Sequence, residues 1–264
     1  MKLHSPADNH SPADNHSPSS VLLKAAQLLS ALSDAGRGLR FRDLQRATGF
    51  SNATLHRLLR DLTTLRLLQH HEENSTYTVG PRLIGWAQHA LHDLDIRQAA
   101  SEVMTALRDQ TDETVHLAVL EGTRLLYVDK KESTKSVRMY SSVGRTAPLH
   151  CTGVGKAILA FQPPEVVEHV IKHLTFTVFT PTTLRTADDL LQELAAIRRR
   201  GYAFDLGEHE EEVRCVAAPI LGPQGVSLGG LSISAPAFRI GDAFETSWPQ
   251  LVTRSAHAIA RNLG

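Results

Sequence analysis

The chain has 264 residues, is 42% hydrophobic and 21% charged, and carries no formal net charge at pH 7. Those proportions are those of a soluble globular protein of one large or two ordinary domains. No run of about 18 apolar residues exists to span a membrane, and no charged start with an apolar core marks a secretory signal. Cys151 and Cys215 lie too far apart for metal-ligand spacing, so a cytoplasmic protein with reduced thiols is expected. The charge is unevenly spread: residues 20–82 sum to +4, residues 83–264 to −3 and residues 1–19 to −1. A basic N-terminal third is the electrostatic footprint of a nucleic-acid partner.

Residues 4–18 read HSPADNHSPADNHSP, two and a half copies of a six-residue repeat. Pro, Ser, Asp and Asn build no core, so 1–19 is expected to be a disordered tail, with His4, His10 and His16 solvated. Val21–Leu32 has apolar residues at Val21, Ala25, Leu28, Leu29 and Leu32, the pattern of an amphipathic helix. After the turn at 34–38, Arg42–Ala47 and Ser51–Leu65 read as two helices around Thr48-Gly49-Phe50. In the second, Leu55, Leu58, Leu59, Leu62 and Leu65 share one face, and Ser51 is placed to cap its start. The opposite face carries Asn52, Thr54, His56, Arg57 and Arg60, which can all donate to phosphates or base edges. Helix, glycine turn and helix in this order predict a helix-turn-helix. Arg57 and Asn52 are expected on bases, and Arg40, Ser51, Thr54 and Arg60 on phosphates. Leu67–His71 and Thr76–Val79 flank a polar turn and read as a hairpin, a wing directly after the recognition helix. Residues 20–81 are thus expected to form a winged helix-turn-helix.

Arg82–Asp95 reads as a linker helix, and Ile96–Gln110 opens a second domain. Strands are expected at Glu113–Leu120, Arg124–Asp129, Val137–Ser142, Tyr202–Asp205, Val213–Ile220 and Val226–Ala235. Helices are expected at Val154–Phe161, Glu165–His173, Ala187–Arg200 and Trp248–Leu263. Two hairpins with peripheral helices imply an α+β domain on an antiparallel sheet.

Gly153-Val154-Gly155-Lys156 is not a nucleotide-binding loop, because Ala157 stands where Ser or Thr is needed and the upstream glycine is missing. A small-residue turn entering a helix still offers backbone N–H groups to an anion. Ser232 and Ser234, two apart on a strand, face one side and need hydrogen-bond partners. No Cys/His signature surrounds Cys215, so it reads as a filler. His169 and His173 lack the glutamate of a zinc motif, and Arg198-Arg199-Arg200 reads as a solvated helix end.

Several of these strings together resemble the IclR family of bacterial transcriptional regulators. In the first domain they are Leu44, Thr48-Gly49-Phe50-Ser51, Thr54 to Leu59, and Tyr77-Thr78-Val79-Gly80. In the second they are Thr152 to Ala157, Gly201 to Asp205, Cys215 to Ile220, and Leu231 to Ser234. Glu113 to Leu117, Arg138 to Ser141 and Val143-Gly144-Arg145 are similar to the KdgR-like branch that represses 2-keto-3-deoxygluconate catabolism. One departure is Glu212, where the family commonly has a glycine.

The resemblance implies a winged helix-turn-helix (20–81) joined by a linker helix (82–96) to a GAF-like effector-binding domain (97–264). It implies a DNA-binding repressor of a sugar-acid or carbohydrate operon, acting as a dimer or dimer of dimers. An activator of aromatic-acid catabolism is the alternative, and a Cys-dependent enzyme acting on a keto acid is the rival from another class; an enzyme is not the reading adopted, and neither a cofactor nor a metal is expected. It places Gly153 and Val154 as backbone contacts, and Asp205, Cys215, Ser232 and Ser234 as side-chain contacts, around one small organic-acid effector.

Overall fold

The computed structural model describes residues 20–92, 95–137, 139 and 141–263. The repeat tail expected over 1–19 lies outside these. Contacts divide the chain into two compact units between His89 and Ala90.

The first unit holds α1 (Ser20–Ala35), β1 (Leu39–Arg40), α2 (Phe41–Thr48), α3 (Asn52–Thr64), β2 (Leu68–His71), β3 (Thr76–Val79) and most of α4 (Pro81–His92). Its core is almost entirely leucine: Leu28 and Leu32 from α1, Leu44 from α2, and Leu55, Leu58, Leu59 and Leu62 from α3, closed by Leu39 and Leu68. Each buried leucine contributes roughly 1.5–3 kcal/mol relative to exposure, which holds three short helices together. Gly49 ends α2 in the left-handed conformation at φ 69°, and its N–H donates to the Gln45 carbonyl at 2.8 Å. A side chain is disfavoured at that φ. Ser51 then accepts the Thr54 N–H at 3.4 Å, the expected cap.

Two expectations need correction here. Leu65 is 49% exposed: α3 stops at Thr64 and Leu65 occupies the cap, so the leucine period runs past the end of the buried face. The wing is also three-stranded, ordered β1-β3-β2, since Leu39 and Arg40 pair with Tyr77 and Thr76. Two residues carry too little periodicity to be read as a strand. Gly80 closes the wing at close quarters: a Cβ there would lie 2.3 Å from the Arg66 carbonyl oxygen.

The second unit contains α5 (Asp95–Thr111), β4 (Thr114–Glu121), β5 (Arg124–Lys131), β6 (Thr146–Pro148), α6 (Gly153–Ala160), α7 (Pro164–His173), α8 (Ala187–Arg200) and β7 (Ala203–Asp205). It continues through β8 (Val213–Leu221), β9 (Ser227–Pro236), a 3-10 turn at Ala237–Arg239, α9 (Ala243–Thr246) and α10 (Trp248–Asn262). The strands form one antiparallel sheet ordered β6-β5-β4-β9-β8-β7. Alternation sorts its two faces. Val115, Leu117, Val216, Ala218, Leu231 and Ile233 pack with α5 and α10. Ala118 and Ala217 face α6, α7 and α8 with Val154, Ile158, Val167, Leu190 and Leu194. His116, Cys215, Ser232 and Ser234 share the α6 face by parity.

The described residues of the third expected strand, Val137–Ser142, are not in a strand. The free edge of β5 pairs with β6 instead, after Tyr127 exchanges hydrogen bonds with Gly144 and Arg145. The segment before β6 is held by Lys130, whose Nζ donates to the carbonyls of Met139 at 3.0 Å and Ser141 at 2.8 Å. Nor are two of the three arginines ending α8 simply solvated. Arg198 donates to the Ala160 carbonyl, and Arg200 donates to the Tyr202 carbonyl at 2.6 Å and pairs with Glu193 at 2.7 Å.

Candidate functional site

The polar face of α3 stands clear of the leucine core. Ser51, Asn52, His56, Arg57 and Arg60 are exposed and Thr54 is half-buried; Arg40, also exposed, precedes α2. Among the described residues Arg57 has no side-chain partner, so its guanidinium fork is available to an acceptor. The Asn52 amide oxygen accepts from the Gln45 amide, which fixes the start of α3 to the end of α2. The His56 ring stacks on Phe41 at 4.3 Å between centroids, so its orientation is set by packing. Arg60 lies 3.3 Å from Asp61, an exposed pair that solvent weakens.

In the second unit a cleft of about 470 Å³, including its open mouth, lies between the sheet and the start of α6. Gly153, Val154, Asp205, Cys215, Ser232 and Ser234 all line it. Six residues from four elements meet because α6 packs across β8 and β9 at glycine contacts. A Cβ on Gly230 would lie 2.8 Å from Val154 and 2.9 Å from Ile158; one on Gly155 would lie 2.8 Å from the Leu149 backbone. Thr152 turns its hydroxyl to the Pro148 carbonyl at 2.7 Å and does not cap α6. The first helical bond runs from the Lys156 N–H to Thr152, which leaves the N–H groups of Gly153 and Val154 without helical acceptors at the positive end of the helix.

The acids and thiols of the cleft are tuned by burial. Burial pushes Asp205 up to about 7, against the N–H groups of Gly207 and Glu208, which donate to its Oδ1 at 3.1 and 2.7 Å. The carboxyl therefore titrates near neutrality, with Oδ2 left for another partner. Burial, then the Asp205 charge, pushes the Cys215 thiol up, so it stays protonated and lacks the thiolate a nucleophile needs. Among the described residues the Ser232 hydroxyl has no partner, whereas Ser234 accepts from Cys215 at 3.0 Å. Glu212 sits at an ordinary negative φ and its carbonyl accepts from the Ala237 N–H at 2.7 Å, so no glycine is needed there.

Sequence reading missed eight of the fourteen lining residues. His116, Tyr127, Met139, Ser141, Thr152, His209, Glu210 and Val213 also face the cleft. His116, Met139 and Ser141 lay within quoted strings, but their convergence needs the pairing of His116 opposite Ser232, which joins residues far apart in sequence. No group of three or more His, Cys, Asp or Glu among the described residues could hold a metal. His173 Nδ1 instead lies 2.8 Å from the His169 carbonyl.

Comparison with known proteins identifies both units. The IclR helix-turn-helix domain matches residues 21–72, and the IclR C-terminal domain of bacterial transcriptional regulators matches residues 88–261. The chain is 32% identical to the HTH-type transcriptional regulator XynR of Escherichia coli K12, over 91% of this chain and 96% of that one. It is 31% identical to the HTH-type transcriptional regulator KdgR of Dickeya chrysanthemi, over 93% of this chain and 80% of that one. The crystal structure of the Thermotoga maritima IclR superposes with a TM-score of 0.71 at 28% identity, covering 92% and 98% of the two chains. XynR and KdgR are both named as HTH-type regulators of transcription. With one domain that binds DNA and another that binds a small effector, this chain belongs to the IclR family of bacterial transcriptional regulators.

Proposed function

We propose that the protein represses a carbohydrate or sugar-acid catabolic operon and that a small organic acid, bound in the α6 cleft, relieves or modulates this. The observation that carries the reading is the convergence of the uncapped Gly153 and Val154 N–H groups with the Ser232 hydroxyl, which has no partner among the described residues. Backbone donors at a helix start favour a carboxylate, Ser232 adds a donor, and Asp205 meets a ligand hydroxyl. Cys215 and Ser234 complete that wall. The likeness to KdgR and the strings around Glu113 and Ser141 favour a sugar acid over an aromatic one.

On DNA, Asn52 and Arg57 read base edges while Arg40, Ser51, Thr54 and Arg60 position the backbone, with His56 on the same face. Two copies reading successive major grooves require a dimer, or a dimer of dimers, on a pseudo-palindromic operator. An effector switches such a complex only by binding its DNA-bound and free forms unequally.

Calorimetric titration with 2-keto-3-deoxygluconate, pyruvate, glyoxylate and 4-hydroxybenzoate tests the reading, each acid also being added to an operator complex in a gel shift. Saturable binding of the sugar acid that changes operator affinity, and is lost in Ser232→Ala, is the expected result. A response to 4-hydroxybenzoate alone replaces the sugar-acid assignment with the aromatic one.

A further inference from the structure

Four side chains of the cleft form one continuous chain of hydrogen bonds. The Cys215 thiol donates to Ser234 Oγ at 3.0 Å, Ser234 Oγ lies 3.3 Å from His116 Nδ1, and His116 Nε2 lies 2.7 Å from Ser141 Oγ. The chain runs from β8 through β9 and β4 to the segment before β6.

Counting hydrogens gives it a direction. A thiol and a hydroxyl each have one hydrogen, and a neutral imidazole has one N–H. Ser234 Oγ accepts from Cys215, and when its own hydrogen is given to His116 Nδ1 each member of the chain donates once. Nε2 then carries the ring hydrogen and donates it to Ser141 Oγ. The Ser141 hydrogen is the one left over, and Ser141 lines the cleft. The reverse direction would end on the Cys215 sulfur, a weak acceptor. Burial, aided by the Lys130 charge, holds His116 down at about 3, so the ring is neutral near pH 7. Lys130 also fixes the Ser141 backbone through its carbonyl, so only the hydroxyl rotor remains to be set.

We propose that Ser141 is a ligand-binding donor and that His116, aligned by Ser234 and Cys215, is the positioning residue that turns the Ser141 hydrogen into the cleft. The two serines of β9 then differ in role: Ser232 meets the ligand, while Ser234 acts through His116. The ligand class this selects is an acid with an oxygen acceptor, keto or hydroxyl, beside Ser141. An acid with an apolar body leaves Ser141 unpaired. This rests on the reading of the cleft as an organic-acid site.

Two measurements on the full chain test it. Nitrogen-15 NMR of the unliganded protein at pH 7 reads the His116 tautomer without any ligand. The Nε2–H form is expected, with that preference lost in Ser234→Ala. An Nδ1–H tautomer in the wild type overturns the proposal. Calorimetry with 2-keto-3-deoxygluconate then compares Ser141→Ala, His116→Phe and the double variant. Each single change is expected to weaken binding roughly three- to tenfold, the worth of one hydrogen bond, and the double no further. Unchanged binding in Ser141→Ala, or losses that multiply in the double variant, overturns it. Should the wild type bind none of the acids, the sugar-acid reading falls, while an Nε2–H tautomer that depends on Ser234 still supports the oriented chain.

Discussion

Lys156, near the start of α6, is ion-paired with Glu208 after β7, and both are buried. The pair ties the helix that supplies the cleft's backbone donors to the loop that hydrogen-bonds Asp205. The same loop is clasped by Thr180, Thr182 and Thr183, whose hydroxyls donate to the Gly207 and Glu208 carbonyls. Lys156 was the fourth residue of the small-residue turn, and its role is this internal pairing.

Removing one partner of such a pair leaves an uncompensated buried charge. Lys156→Met strands Glu208, whose Oε2 already lacks a partner among the described residues. A loss of about 3–5 kcal/mol is expected on denaturant unfolding. The double variant Lys156→Met/Glu208→Leu should recover much of it, because an apolar pair of similar volume carries no desolvation penalty. A single variant as stable as wild type would show that the pair contributes nothing to the unit.

Acid binding should depend on pH through Asp205. Its carboxyl stands at about 7 in the free protein, faced by Lys156, Glu208, Glu210, His209 and the Cys215 thiol. A bound carboxylate disfavours the charged form further, so binding takes up a proton. Affinity is therefore highest below about pH 7 and falls above it, by at most about tenfold per pH unit for one coupled proton. Asp205→Asn should flatten the profile. Folding follows the same sign: the raised value makes the unliganded protein lose stability as pH rises from the ordinary carboxylate range through 7. Calorimetry from pH 6 to 8.5 reads the binding effect, and an affinity that rises with pH would contradict it.

The two glycines of Gly153-Val154-Gly155 should behave differently. A Cβ on Gly155 would lie 2.5 Å from the Thr152 hydroxyl and 2.8 Å from the Leu149 backbone, so Gly155→Ala should displace α6 and destabilise the unit. A Cβ on Gly153 would lie 3.4 Å from Cys215 and 3.5 Å from Asp205, ordinary contact distances at the cleft wall. Gly153→Ala should therefore fold with nearly unchanged Tm yet lose acid binding. Thermal melts of both variants with one titration separate the cases; equal destabilisation would refute the distinction.

The helices of the first unit were legible because the leucine period in α3 and its Ser51 cap are local signals. The cleft's serine pair and glycine turn were legible for the same reason. What escaped is what only pairing creates: β1, set by its partner β3, and the replacement of Val137–Ser142 by Thr146–Pro148 at the β5 edge. The His116–Ser141 contact joins residues 25 apart, and the Lys156–Glu208 pair residues 52 apart. No periodicity reports such distances. A lone histidine in a strand reads as one more alternating residue until the neighbouring strands are known.

On DNA, Arg57 and Arg60 should separate by the kind of loss they cause. Both are exposed on α3, three residues apart, but only Arg60 lies against a neighbouring carboxylate. If Arg57 reads a base edge, Arg57→Ala costs about 1–3 kcal/mol, roughly 5- to 150-fold, at the operator and far less on unrelated DNA. If Arg60 contacts a phosphate, Arg60→Ala weakens both sequences alike and lowers the slope of log K against log salt by about one. Neither side chain belongs to the leucine core, so both variants should melt like wild type. Fluorescence anisotropy on operator and scrambled duplexes, from about 50 to 200 mM salt, reads both effects. Operator preference undiminished in Arg57→Ala would move base recognition to another residue of α3, Asn52 being next along the same face.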